Sequence, residues 1–510
     1  MMDVNLMGKL AKGIATMITI HAGRKAAAHP APKIAPACFD MAPQAAGSFF
    51  TVGYGQAEIV PDGDVTRQKY WIAGYRINNR CEGILDLMAA HALWLDDHSG
   101  KGGIVLVSVD CVGLLRKDVE QIKAGLSGFM QRTGCRCVHI MSTHTHAGID
   151  TMGMWGPLPK TGRNPAFMQR LAESVWSSVE QAYQSRREGS LYWGKKAVPG
   201  VQKDSRLPEV FCDELTRVRF VPRDGGHEIY LLNFAAHPES MGSQNSLVSA
   251  DFPCYLAREI KARTGADTIY FSGAIGGLIA MKPLAEDNLT STRIAGEKLA
   301  EAACSIERET RLEPRISQIR QEFYVDADNY VLLAAAKVGI IQADACATGQ
   351  GALNVSLKTE LTYLEIDRLK ILMIPGEIYP ELVYGGYLSA KESAEGAPAS
   401  RNPAPLREIA GDSELVVFGL ANDEIGYIVT PNDFCLNKKM PYLDKATDRL
   451  GRRHYEETNS LGPNTATRIA QVFTHMMETV RAAKSRVAAP EGGACGAEEA
   501  GSSAVEGIKA

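Results

Sequence analysis

The run Ile104-Val-Leu-Val-Ser-Val109 is almost wholly apolar and stops at Asp110. A strand with one wet face alternates polar and apolar residues, whereas an unbroken apolar strand is covered on both faces. This run therefore demands a sheet buried between two layers. Similar runs recur, and most end in a polar group. Cys137-Val-His-Ile-Met141 leads into Ser142-Thr-His-Thr-His146, and Leu231-Leu-Asn-Phe-Ala-Ala236 leads into His237. Thr268-Ile-Tyr-Phe271 precedes a glycine-rich bend, Arg368-Leu-Lys-Ile-Leu-Met-Ile374 precedes Pro375-Gly-Glu377, and Leu415-Val-Val-Phe-Gly-Leu420 comes shortly before Tyr427. Amphipathic helices lie between the runs. Residues 167 to 183 carry Leu171, Val175, Val179 and Ala182 at helical spacing. Past an N-cap at Asn464, the face Ile469, Val472, Phe473, Met476 and Val480 repeats the pattern. The expected fold class is α/β, a single large mixed α/β domain with its site at strand ends, where sheets of this kind place ligands.

No Pro/Gly/Ser-rich linker divides residues 49 to 486, so these form the expected folded body. Residues 1 to 48 are expected to be an irregular arm, and residues 487 to 510, rich in Gly, Ala, Ser and Glu, a disordered tail. The short apolar run Ile14 to Ile20 is brief for a signal-peptide core and has no clean cleavage site, so a cytoplasmic protein is expected, with export as the alternative. A net charge of -4 gives no basic footprint for nucleic acid, and no apolar stretch is long enough for a transmembrane segment. The eleven scattered cysteines read as reduced thiols. Oligomeric state is not legible.

Residues two apart on a strand share a face, so His144 and His146 can point into one cleft. Neutral imidazole is the commonest protein ligand for zinc and also the usual proton carrier near neutral pH. His237, Glu377 and Tyr427 each stand just past an apolar strand. Two imidazoles and a carboxylate make a common zinc shell with one position left open. Taken singly, each has an ordinary alternative. A strand-end histidine can be structural, Pro-Gly-Glu can be a turn with a solvated acid, and Tyr427 can be a packing residue. Spacing alone does not unite them.

The surrounding motifs do. Val52-Gly-Tyr-Gly-Gln-Ala-Glu-Ile59, Ser142-Thr-His-Thr-His-Ala-Gly148, Asn233-Phe-Ala-Ala-His-Pro-Glu-Ser240 with Leu247-Val-Ser-Ala-Asp251, Pro375-Gly-Glu377, Gly419-Leu-Ala-Asn422 with Tyr427, and Tyr455-Glu456 with Gly462-Pro463 occur in that order. Together, from about residue 50 to 485, they resemble the N-terminal catalytic domain of the neutral (non-lysosomal) ceramidases. The resemblance implies a zinc hydrolase acting on an amide or ester of a small-molecule or lipid-like acyl substrate. It puts the Zn2+ ligands on His144, His237, Glu377 and Tyr427, and His146 near the scissile group. It also suggests a substrate-facing role for Arg206, in Lys203-Asp-Ser-Arg206, with a solvated loop charge as the alternative.

One departure shapes the expected chemistry. The family's proposed serine nucleophile lies in a Gly-Asp-Val-Ser-Pro-Asn segment, and the matching stretch here is Ser272-Gly-Ala-Ile-Gly-Gly-Leu-Ile-Ala280. Gly277 falls at the aspartate and Ile279 at the serine, and isoleucine cannot be a nucleophile. Metal-bound water is then the expected nucleophile. His146 would shuttle the proton, and backbone N–H groups of residues 273 to 277 could help hold an oxyanion. Asp110 and Asp251 are candidates for orienting the imidazoles, or else caps of a turn or helix. The alternatives are a non-catalytic relative that binds a ligand or lipid, and a serine amidase using Ser272. Cys135, Cys137 and His139 crowd one strand face too closely for tetrahedral closure. Met152, Met154 and Trp155 either line an apolar mouth or belong to the core.

Overall fold

The computed structural model describes residues 4–43 and 47–488. Strand alternation sets its layering. In Ile104–Val109, Val105, Val107 and Val109 face one way, and they join Ala92, Trp94 and Ile140 in a core against helix Pro165–Gln184. Ile104 and Leu106 face the other way and meet Leu364, Ile371 and Phe418 of a second sheet. Phe271 stacks on Phe418 across this interface with ring centroids 4.6 Å apart. The outer face of the second sheet, with Phe323, Leu361 and Tyr363, packs on Ile469, Phe473 and Met476 of the final helix, Thr465–Ala488. The architecture is mixed α/β, layered helix, sheet, sheet, helix, with both sheets covered on both faces.

The first sheet has nine strands. Along its main path lie Asp267–Ser272, Ile229–Phe234, Glu214–Pro222, Arg187–Ala197, Phe50–Ile59, Met88–Asp96, Ile104–Val109 and Cys137–Ser142. Its two end pairs are parallel, Ile229–Phe234 with Asp267–Ser272 and Ile104–Val109 with Cys137–Ser142. The six-stranded second sheet contains the long antiparallel pair Ile316–Asp326 and Val355–Ile366, and then the parallel pair Leu369–Met373 and Val416–Phe418. Parallel strands leave their carboxyl ends at the same edge, and these edges carry the polar groups singled out in the sequence.

Helix Pro165–Gln184 starts where Asn164 accepts from the N–H groups of Ala166 and Phe167, with proline in the first turn. It lies so close to Phe50–Ile59 that a Cβ on Gly53 would stand 2.0 Å from the carbonyl oxygen of Ala182. The expected 1–48 arm is corrected at its start, because Val4–Ala28 is a helix. Its buried stripe is Ala11, Ala15, Ile18 and Ala22, packed on Tyr330, Leu333, Val355 and Tyr442. The more conspicuous Met17 and Ile20 stay exposed. The helix is held by small residues against distant parts of the chain, which the local apolar run does not reveal. The tail expected from residue 487 falls almost wholly outside the described residues, and Val487 and Ala488 end the final helix. Among the described residues, no helix is long and apolar enough to cross a membrane.

Candidate metal centre

His144 lies two residues past Cys137–Ser142 with φ 70°, the left-handed conformation that a non-glycine residue seldom adopts. Its N–H donates to the carbonyl of Cys111 at 2.9 Å, and its Nδ1 faces the carbonyl of Val112. A carbonyl only accepts, so the proton sits on Nδ1 and Nε2 offers a lone pair. His237 is fixed in the same way. Its backbone N–H and its Nδ1 both reach the carbonyl of Ile279, each at 2.8 Å. Ile279 thus orients an imidazole through its main chain.

Glu377 and Tyr427 are register partners in a short parallel ladder, Glu377–Ile378 beside Tyr427–Ile428. Glu377 Oε2 stands 2.9 Å from His237 Nε2 and 3.4 Å from His144 Nε2. The nitrogens of His144, His146 and His237 all lie within 4.8 Å of one another. His144, His146, Glu377 and Tyr427 line one cavity of about 110 Å³, whose walls include Leu115, Met152, Met154, Trp155, Leu332 and Ile341. Met152, Met154 and Trp155 therefore line the cavity, and they also pack in a hydrophobic cluster with Val112, Leu115 and Ile341.

The donor set fits a divalent cation. Buried His144 Nε2 has no hydrogen-bond partner. His237 Nε2, a lone pair by its tautomer, faces a carboxylate oxygen. Two acceptors in contact need a proton or a cation between them. An ion with bonds of about 2.0–2.1 Å would separate tetrahedral donors by about 3.3–3.4 Å, close to the 3.4 Å between Glu377 Oε2 and His144 Nε2 and wider than the 2.9 Å to His237 Nε2.

Without the ion, protons respond to the same geometry. Burial opposes charge on His237, but its hydrogen bond to Glu377 raises its pKa above the usual imidazole range. Burial opposes ionisation of Glu377, but His144 and His237 hold its carboxyl well below the carboxylate range. Burial, followed by the charges of His144 and His237, drives the pKa of His146 far down, so that ring is neutral. Burial and the neighbouring Glu377 raise the Tyr427 phenol far above its ordinary value, and a cation among these donors would oppose both effects.

His146 is positioned by groups the sequence reading missed. Its N–H donates to the carbonyl of Pro238, its ring packs edge-on against Tyr75, and its Nδ1 lies 3.5 Å from Glu239 Oε2. The Tyr75 hydroxyl donates to the same carboxylate oxygen at 2.6 Å. Glu239 was visible in His237-Pro-Glu239, but Tyr75 carries no local signal.

The other candidates are placed elsewhere. Asp110 accepts from the N–H of Ala89 at 3.0 Å and faces His91 Nε2 at 3.6 Å, in a polar cleft beside Tyr54 and Thr268 rather than on an imidazole of the cluster. Asp251 caps helix Phe252–Thr264, accepting from the N–H of Phe252, and also holds the Ser240 hydroxyl and the N–H of Met241. It anchors the loop after His237 and touches no ring of the cluster. The N–H groups of Gly273 and Gly276 donate to the carbonyls of Phe234 and Ile378, so neither is free for an oxyanion. Cys137 and His139 hydrogen-bond to each other and to Gln318.

Arg206 is outside the residues lining the cavity. Its guanidinium reaches the Tyr379 hydroxyl, Glu456, Glu457, Asp433 and His454 at 2.8 to 3.1 Å, all of them buried. It is a structural hub behind the site. Burial opposes ionisation of Glu457, but Arg206 and His454 hold its pKa at about 2 against an ordinary 4.5. A depressed folded pKa contributes stability that is full above about pH 4.5 and is lost as pH falls toward 2. We expect on the order of 3 kcal/mol from this group to disappear over that window. Urea denaturation at stepped pH checks it, and Glu457→Gln should flatten the slope there.

No protein-family model and no curated protein matches the chain at a significant level. Solved structures do. The crystal structure of neutral ceramidase from Pseudomonas aeruginosa superposes with a TM-score of 0.64 at 17% identity, covering 85% of this chain and 75% of that one. A structure described as ceramidase complexed with C2 gives 0.63 at 16%, covering 85% and 76%. The chain has the fold of the neutral ceramidases.

Proposed function

We propose that this protein is a zinc-dependent hydrolase of an amide or ester bond in a lipid-like acyl substrate. The observation that carries the reading is the convergence of His144 Nε2 and His237 Nε2, each turned inward by a carbonyl on its Nδ1, on one oxygen of Glu377. His144, His237, Glu377 and Tyr427 would hold the ion. When bound, zinc supplies a Lewis acid for a carbonyl oxygen and makes hydroxide available at neutral pH. Neutral His146 can take up a proton, and the Glu239 carboxylate beside Nδ1 stabilises the ring that results. The apolar walls exclude water and accept hydrocarbon. The ceramidase fold supports an acyl substrate of this kind, with no requirement for a serine at Ile279.

The test is metal analysis of the purified protein, with turnover of acyl esters and amides before and after chelation. Zinc near one per chain and activity lost to chelator and restored by zinc are expected. Chelator-insensitive hydrolysis would overturn the metal mechanism, and tight ligand binding without turnover would favour the non-catalytic relative.

Ser272 is a weak candidate for a nucleophile. Its hydroxyl is buried and donates to the carbonyl of Thr143 at 2.8 Å. Ser272→Ala is expected to keep turnover within a few-fold while losing about 1–2 kcal/mol of stability, because a buried carbonyl loses its donor. Kinetics and thermal unfolding of the variant check this, and loss of all turnover in a folded variant would restore the serine reading.

A further inference from the structure

Helix Val4–Ala28 has two apolar faces, and only one of them is covered. Its inner stripe, Ala11, Ala15, Ile18 and Ala22, packs on the body. On the opposite side Leu6, Leu10, Ile14, Met17 and Ile20 recur at helical spacing and are 38% to 73% exposed. At 3.6 residues per turn they fall within about 120° of arc and run about 21 Å along the axis. Large apolar side chains exposed in one continuous stripe mark an interaction surface, whereas single ones do not. The charges on this helix are all of one sign. Lys9, Lys12, Arg24 and Lys25 are exposed, and no Asp or Glu occurs from residue 4 to 28. None of the four cations pairs with an acid among the described residues. By the same helical geometry Lys9 and Lys12 border the stripe on one side, Lys25 borders it on the other, and Arg24 closes its C-terminal end.

The helix also adjoins the cavity. Ile18 and Ala22 pack in one cluster with Leu333 and Leu357, and both leucines line the cavity wall. Leu333 belongs to helix Tyr330–Lys337, so this short helix joins the two. We propose that helix Val4–Ala28 docks the protein on an anionic bilayer, with its outer stripe among the acyl chains and its lysines and arginines at the lipid phosphates. The stripe supplies apolar contact and the cationic flanks supply electrostatic attraction, the two contributions that interfacial binding draws on. The helix is not apolar enough to cross the bilayer, so it lies in the plane of the surface. A second copy of this chain fits the face less well. A twofold contact sets a patch against itself, and here it would bring two sets of cations together with no acid on either helix. Docking on this face holds the cavity wall close to the lipid phase. The link to catalysis rests on the hydrolase reading, but the docking does not.

The experiment is co-sedimentation of the full chain with vesicles of phosphatidylcholine, alone or mixed with phosphatidylglycerol. Wild type is compared with Leu10→Glu/Met17→Glu and with Lys9→Glu/Lys12→Glu. All four side chains are exposed, and thermal unfolding checks that each variant folds. Wild type is expected to bind the anionic vesicles at least about tenfold tighter than the neutral ones, and less tightly as salt is raised. Each double variant should lose at least about tenfold in binding. No binding, equal binding to the two kinds of vesicle, or binding that survives Leu10→Glu/Met17→Glu would overturn the proposal. A dimer in sedimentation velocity that this variant dissolves, with no vesicle binding, would assign the face to a second copy instead. Should that variant not fold, the lysine pair carries the comparison. Catalysis is read separately. Turnover of para-nitrophenyl palmitate carried in anionic vesicles should fall at least about tenfold in both variants, while para-nitrophenyl acetate in solution is hydrolysed as by wild type. Unchanged turnover of the carried ester would overturn the link to the cavity. If wild type hydrolyses neither ester, the hydrolase reading fails by itself and vesicle binding alone decides the docking.

Discussion

His237→Ala is expected to lose the bound ion and at least about a thousandfold in kcat/KM, equivalent to about 4 kcal/mol of transition-state stabilisation. The ring is fully buried, its Nδ1 reaches the carbonyl of Ile279 that the His237 backbone N–H also reaches, and its Nε2 stands 2.9 Å from Glu377 Oε2. Its removal takes away one of the two lone pairs that meet at that oxygen. It also takes from the Glu377 carboxylate one of the two imidazoles that hold it ionised. Zinc content by elemental analysis and steady-state kinetics on the same preparation measure both effects. His146→Ala is the contrast. It should retain the ion, because the proposed ligand set stays intact, and lose a smaller factor of about 10²–10⁴ expected of a proton carrier. A His237→Ala protein that keeps stoichiometric zinc and near-wild-type turnover would end the proposed ligand set.

The second large effect concerns stability. Arg206→Met is expected to destabilise the fold by about 3–5 kcal/mol, the cost of leaving buried carboxylates without their cation. The guanidinium sits among Asp433, Glu456 and Glu457, every one of them buried, and also donates to the Tyr379 hydroxyl. Tyr379 is two residues past Glu377, and Glu456 follows Tyr455, which lines the cavity. Loss of the hub should therefore also loosen the candidate metal centre. Chemical denaturation gives the magnitude. In the double variant Arg206→Met with Glu457→Gln, the loss should be smaller than the sum of the two single losses, because the partners share one network. Strict additivity would show that the contacts do not act together.

Much of the architecture was legible because it is written in local periodicity. Unbroken apolar runs such as Ile104 to Val109 call for a doubly covered sheet, and the helix faces at Leu171, Val175 and Val179 and at Ile469, Phe473 and Met476 pack as their spacing requires. Helix Val4–Ala28 was not legible, since its buried stripe is mostly alanine and gains its partners hundreds of residues away. Asp110 and Asp251 show the same limit. Each stands near a strand end in the sequence, yet one turns into a separate cleft and the other caps a helix. Backbone direction at a single residue decides such outcomes. Arg206 could equally be a solvated charge or a substrate contact by its neighbours in sequence, and only the convergence of five distant buried groups makes it a hub.

From its sequence alone, this protein had a mixed α/β body and a set of metal-binding residue types at strand ends, because side-chain period and strand termination are properties of short segments. The tertiary structure alone decided which donors meet and which lone pair each presents. Those depend on carbonyls from remote segments, Val112 for one ring and Ile279 for the other, and on a ladder that sets Glu377 beside Tyr427.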